Sequence, residues 1–205
     1  MKPETGNNLP KKKYNVSVQL ELDGHSSSFI LPSVTSDKHV SITVLTEKVT
    51  LVPWELFNPD EASEYILKSG ISIDRNETII QGEVHDGIIA VMALKEDFVN
   101  MIMDKYCGNV SFTSPLMPQK EERKYDIYAT VTDHELYMKA YNEERLIRAE
   151  AVRILRPEDA SYFILSYMEI LYKQKKCSIA INCTKELRHE FRCLAGKVKF
   201  FNPKS

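Results

Sequence analysis

A pattern of alternating strands and tight turns occurs twice in this chain, once on each side of a proline- and charge-rich stretch, and it limits the possible folds more than any other feature. From Tyr14, YNVSVQLEL puts Val16, Val18, Leu20 and Leu22 on one face, the period-two signature of a half-buried strand. Asp23-Gly24 turns the chain, because both residues tolerate the positive φ angles of a tight hairpin, and Ser28 to Leu31 returns. From Tyr125, YDIYATV turns at Asp133-His134, LYMKAY returns over 136–141, Asn142-Glu143-Glu144 turns again, and LIRAEAVRI runs over 146–154. Strands joined by turns this short form an antiparallel meander.

Each run is followed by helices and further strands. HVSITVL (39–45) and VTLVP (49–53) read as strands, the second stopped by Pro53, which has no N–H to pair. Asn58 is placed to cap a helix, Pro59 suits its first turn, Asp60 and Glu61 favour the positive end of its dipole, and Gly70 ends it. GIIAVMAL (87–94) is a nearly continuous apolar run, expected of a strand covered on both faces. LKEDFVNMIMDKY then puts Phe98, Ile102 and Tyr106 in one helical row that Gly108 ends, and 110–112 is a short strand. In the second half, Pro157-Glu158-Asp159 opens a long helix to about Lys173, followed by a strand in CSIAIN, a helix in LRHEFRCL and a strand in VKFF. The element order β-β-β, then α-β-α-β, thus occurs twice, and it predicts a mixed α/β chain of two ribonuclease H-like halves. The expected division is a flexible arm over 1–13, a first half over 14–115, a linker over 116–124 and a second half over 125–205.

Composition excludes several function classes. Hydrophobic residues make up 43% and charged residues 27%, as in soluble globular domains. No apolar run approaches the roughly 20 residues of a membrane span, and the opening MKPETGNNLPKKKY lacks the apolar segment of a secretion signal, so a cytoplasmic location is expected. Cys107, Cys177, Cys183 and Cys193 form no C-x-x-C pair, and they read as small buried apolar residues rather than zinc ligands. Net charge is −2, with 10 Lys+Arg against 16 Asp+Glu over 1–115 and 17 against 13 over 116–205, so the halves carry −6 and +4. The basic residues of the second half are interleaved with acidic ones, which argues for complementarity between the halves and against nucleic-acid binding.

The stretches VSVQLELDGHSSSFIL, VTLVPWELFNPDEASEYILKSG and TVTDHELYMKAYNEERLIRAEAVRILRPEDASYFILSYMEIL carry a resemblance to a family of small bacterial proteins of Bacteroides type, a domain of unknown function with a compact actin-like ATPase fold. The resemblance implies that fold and no particular activity. Actin-like ATPases hold phosphate on two glycine-rich hairpins, one opening each half. The corresponding positions here are LDGHSSS, which makes Asp23, Gly24 and Ser26 phosphate-hairpin candidates, and TVTDHELYM, which contributes Asp133. The second hairpin has no glycine, where such a site needs backbone to approach phosphate closely. Asp126, Asp133 and Glu150 are candidates for a two-metal carboxylate cluster but lack a completing acid. No Walker loop, nucleophile elbow or His-Glu-x-x-His helix is present. Trp54 and Phe57 read as packing residues at a helix entrance. The expectation is a non-catalytic interaction or scaffold protein with a degenerate nucleotide site, no cofactor, no catalytic residue and another protein as its partner. The alternative is a divergent ATPase or phosphotransferase that uses Mg-ATP on the Asp23 hairpin.

Overall fold

The computed structural model describes residues 19–21, 39–172, 177–191, 193–194 and 197–201. The amino-terminal arm and the hairpin bearing Asp23, Gly24 and Ser26 lie outside them. The second half follows the expected order. Strands β7 (Ile127–Val131), β8 (Glu135–Asn142) and β9 (Arg145–Arg153) form the antiparallel meander, helix α3 (Asp159–Tyr172) follows, and β10 (Ser178–Asn182) and β11 (Lys197–Phe201) add in parallel beside β7. The strand order across this sheet is β11-β10-β7-β8-β9. Beside the ladder, a bracket at its start ties β7 to β10: the Asp126 carboxylate accepts from Ser178 N at 2.7 Å and Ser178 Oγ at 2.8 Å, while Asp126 N donates to Ser178 O at 3.0 Å. LRHEFRCL forms a short 3-10 helix, Glu186–Phe191, rather than an α-helix.

In the first half the strands divide between two sheets. Strands β1 (Gln19–Glu21), β2 (Val40–Leu45) and β6 (Val110–Thr113) form a parallel sheet in the order β1-β2-β6. Strands β3 (Val49–Pro53), β4 (Glu77–Gln81) and β5 (Ile88–Lys95) form an antiparallel sheet with β5 in the centre. The break falls after Leu45, where Thr46 Oγ accepts from Lys48 N at 3.1 Å and Val49 N donates to Glu47 O at 2.9 Å. Two successive apolar strands therefore leave for different sheets. Strand β4, ETIIQ, is not anticipated by the sequence, because its half-buried residues alternate too weakly to stand out from a loop.

Both helices of this half end as expected. Asn58 Oδ1 accepts from Asp60 N at 3.2 Å ahead of α1 (Ala62–Lys68), which stops at Gly70 with φ +78°. Helix α2 (Glu96–Lys105) stops at Gly108, φ +72°, whose N–H returns to Met103 O at 2.8 Å, and an L side chain would be strained there. Strand β5 is covered on both faces: Ile89 and Val91 pack with Ile66 under α1, while Ala90, Met92 and Leu94 pack with Phe98 and Ile102 of α2. The α2 core extends into the second half through Tyr137 of β8 and includes Leu116 and Met117. The remaining buried cluster lies between α3 and the five-stranded sheet. Cys177 and Cys183 are buried as expected, but Cys107 and Cys193 are exposed; Cys107 sits in the turn after α2 with φ +51°, outside any packed face. Trp54, expected to pack, is 48% exposed and stacks on Phe57 at 5.9 Å between centroids, because the 3-10 turn Trp54–Leu56 projects from the end of β3 and contributes nothing buried.

Candidate functional site

A cleft of about 630 Å³ opens where the ends of β2 and β6 face β7, β8 and β10. Hydroxyl and amide side chains line it from both sides: Ser41 and Thr43 on β2, Thr113 and Ser114 at β6, Thr130 on β7 and Asn182 on β10. Successive strand residues point to opposite faces, so each strand contributes alternate residues to the cleft and the others to a core. Asn182 Oδ1 is buried without a partner among the described residues. Acidic residues Glu83, Glu121 and Glu122 enter from the connecting segments, with Lys120 exposed at the rim.

At the cleft floor stands Lys139 of β8, 1% exposed. Its ammonium pairs with the Glu122 carboxylate, donates to Met117 O at 3.1 Å and lies 5.2 Å from the centre of the Tyr128 ring. The Tyr141 hydroxyl donates to Glu122 Oε2 at 3.1 Å. Burial pushes the Lys139 pKa down, against the opposing pull of Glu122. Burial, reinforced by the same carboxylate, pushes the Tyr128 and Tyr141 hydroxyls up. Charge in this cluster is internally matched, which is how a charge survives without water. Sequence reasoning missed the cluster. The available signal was the inward row of β8, in which a lysine at 139 stands between Tyr137 and Tyr141, where alternation demands an apolar residue.

Of the sequence-predicted residues, those that are described, Asp126, Asp133 and Glu150, are not part of this cleft's lining. Asp23, Gly24 and Ser26 fall outside the described residues. Asp133 is exposed in the turn between β7 and β8 and is not part of the cleft lining. In that turn Thr132 Oγ accepts from His134 N at 3.3 Å and Glu135 N at 3.0 Å, and Thr132 N donates to Glu135 O at 2.9 Å. The Thr132, His134 and Glu135 amides, which a phosphate hairpin would present outward, are thus consumed within the turn. Asp126 is held by Ser178, and Glu150 is held by Tyr167 Oη at 2.8 Å and Arg148 at 3.0 Å. Among the described residues no three His, Cys, Asp or Glu side chains are grouped to hold a metal ion. Among the described residues the cleft lining contains no glycine, its buried cation is taken by Glu122, and three carboxylates enter it; these residues by themselves do not supply the donors and cations that a triphosphate needs at each phosphate.

No described helix is long and apolar enough to cross a membrane. Among solved structures, the chain is similar to a Bacteroides thetaiotaomicron protein with an actin-like ATPase fold and unknown function, at 17% identity and TM-score 0.68, covering 80% of this chain and 68% of that one. That likeness shows the fold, a mixed α/β fold of the actin-like ATPase type. A weaker likeness, at 10% identity and TM-score 0.44 over 93% of this chain and 90% of the other, is to the cytoplasmic domain of EpsL, an inner-membrane component of the type II secretion system of Vibrio cholerae. No curated protein matches the sequence. A family described as protein of unknown function, DUF3822, matches residues 35–186, which is most of the chain, and the chain belongs to that family.

Proposed function

We propose that this chain is a non-catalytic interaction protein of the cytoplasm, in which an actin-like fold is kept and its nucleotide cleft has become a structural joint between the halves 14–115 and 125–205. The observation that carries this reading is the Lys139–Glu122 pair, buried on the cleft floor and completed by Met117 O and the Tyr141 hydroxyl. A phosphate-binding lysine must be free to meet its ligand, and withdrawing Lys139 would strand Glu122 without water. The turn at Asp133 supports the same reading, since the His134 and Glu135 amides are bound to Thr132. With the cleft committed internally, the outer surface is left to recruit another protein.

Calorimetric titration of Mg-ATP into the purified chain tests the reading. The expected result is no binding tighter than about 1 mM, equivalent to roughly −4 kcal/mol. Micromolar affinity that Asp23→Asn abolishes would overturn it and restore a divergent ATPase or phosphotransferase acting through the Asp23 hairpin.

A further inference from the structure

Among the described residues, strand β9 is the unpaired edge of the five-stranded sheet, bonded to β8 on one side only. A nine-residue edge exposes a row of backbone donors and acceptors, and natural sheets cover or disrupt such edges unless a partner strand uses them. Its sequence, RLIRAEAVR, is self-complementary about Ala149. Folding it antiparallel on itself through that residue sets Arg148 opposite Glu150, a pair opposite in charge, within the regular stretch 148–153; Ile147 just before it is the extra residue of a β-bulge, since Ala140 pairs with Arg148 and Tyr141 with Leu146. Neighbouring registers lose that charge pair. An axis through Glu150 opposes Ala149 to Ala151 but sets Arg148 against Val152, and one through Ala151 sets Glu150 against Val152. We propose that two copies of this chain pair through β9 in the Ala149 register, as an isologous dimer with one continuous ten-stranded sheet.

The geometry on each face suits that pairing. Arg148 and Glu150 lie on the α3 side, bonded to each other at 3.0 Å, with the guanidinium 4.9 Å from the centre of the Tyr167 ring and the Tyr167 hydroxyl on Glu150 at 2.8 Å. Their side chains are 42% and 41% exposed, and so are held in position yet able to reach across an edge. In the dimer two such pairs interleave as a ring of four alternating charges, with opposed Cβ atoms about 5 Å apart. On the other face, Ala149 and Ala151 add no bulk and border a groove of about 580 Å³ walled by Val49, Leu51, Ile71 and Leu116. Ile147, 46% exposed, is the bulged residue of β9 and stands at the rim of this groove. The bulge at Ile147 of β9, opposite the Ala140–Tyr141 step of β8, and the like-charged Arg145–Arg153 ends confine regular pairing to the stretch around Ala149.

Sedimentation equilibrium of the full chain, with charge reversals on β9, tests the proposal. Wild type is expected to show a concentration-dependent monomer–dimer equilibrium. Arg148→Glu and Glu150→Arg should each weaken it by at least tenfold, since each sets like charges opposite one another. An equimolar mixture of the two variants should dimerise as the heterodimer, because one chain then presents carboxylates at both positions 148 and 150 and the other presents guanidiniums at both. The double variant Arg148→Glu/Glu150→Arg, which keeps an intrachain pair and guards against a folding defect in either single variant, should self-associate like wild type. A chain that stays monomeric at every concentration would overturn the proposal and assign the edge to an extended segment of another protein. Dimers indifferent to either reversal, or single variants that fail to rescue each other on mixing, would overturn it equally.

Discussion

Replacing Glu122 by Gln isolates the energetics of the cleft floor. The substitution removes one charge at nearly constant volume and leaves Lys139, 1% exposed, with Met117 O and the Tyr128 ring as the remaining neighbours of its ammonium. Breaking a buried ion pair by removing one partner costs about 3 to 5 kcal/mol, because the survivor keeps its desolvation penalty and loses its counter-charge. For a chain of this length about 1 kcal/mol moves the melting temperature by roughly 2 to 4 °C, so Glu122→Gln should melt on the order of 6 to 20 °C lower. Lys139→Met should be destabilising by a similar mechanism, but less, since Glu122 retains the Tyr141 hydroxyl. The double variant Glu122→Gln/Lys139→Met removes both charges and should return to within about 1 kcal/mol of wild type, giving a coupling energy of several kcal/mol in the cycle. The pH dependence has a definite sign. Lys139 has its pKa lowered in the folded state, so the cost of burying its charge is fully present below the folded pKa and is relieved as pH rises from there toward 10.5. Glu122→Gln removes the opposing pull, so its deficit relative to wild type should shrink with rising pH over that interval. Urea denaturation monitored by circular dichroism at several pH values measures all of this. A Glu122→Gln protein within about 1 kcal/mol of wild type near neutral pH would refute the argument, because it would mean that Lys139 is solvated and the cleft is wet and available.

Two further outcomes follow from the same geometry. The Tyr128, Tyr141 and Tyr167 hydroxyls are all pushed up by burial, so the stability they confer is present below pH 10 and is lost as pH rises above it; Tyr141→Phe should flatten the alkaline loss measured by urea titration, by up to about 1.4 kcal/mol per pH unit. Asp126→Ala removes the acceptor of both Ser178 bonds that bracket β7 and β10, and a loss of about 2 kcal/mol or more is expected in chemical denaturation, with Ser178→Ala costing less because the backbone N–H at 178 still reaches the carboxylate.

Local chemistry alone determined much of this chain. The Asn58 cap, the stops at Gly70 and Gly108, the Phe98–Ile102–Tyr106 row and the meander from 127 to 153 follow from backbone sterics and periodicity, which act within a few residues. The apolar run in β5 likewise foretold a strand covered twice, because an uninterrupted hydrophobic strand has no face to give to water. Tertiary structure decided what depends on residues far apart in sequence. Whether HVSITVL and VTLVP share a sheet is settled by where β6 and β5 arrive, much later in the chain, and no alternation encodes that. The weakly patterned β4 is a strand because β5 offers it a ladder. Trp54 is outside because the turn carrying it leaves the sheet end, although its residue type suits a core. Lys139 is the sharpest case: an inward lysine is tolerable only once Glu122, Met117 O and Tyr128 converge on it from separate segments. A buried charge is stable or ruinous according to its neighbours, and those neighbours exist only when the chain has folded.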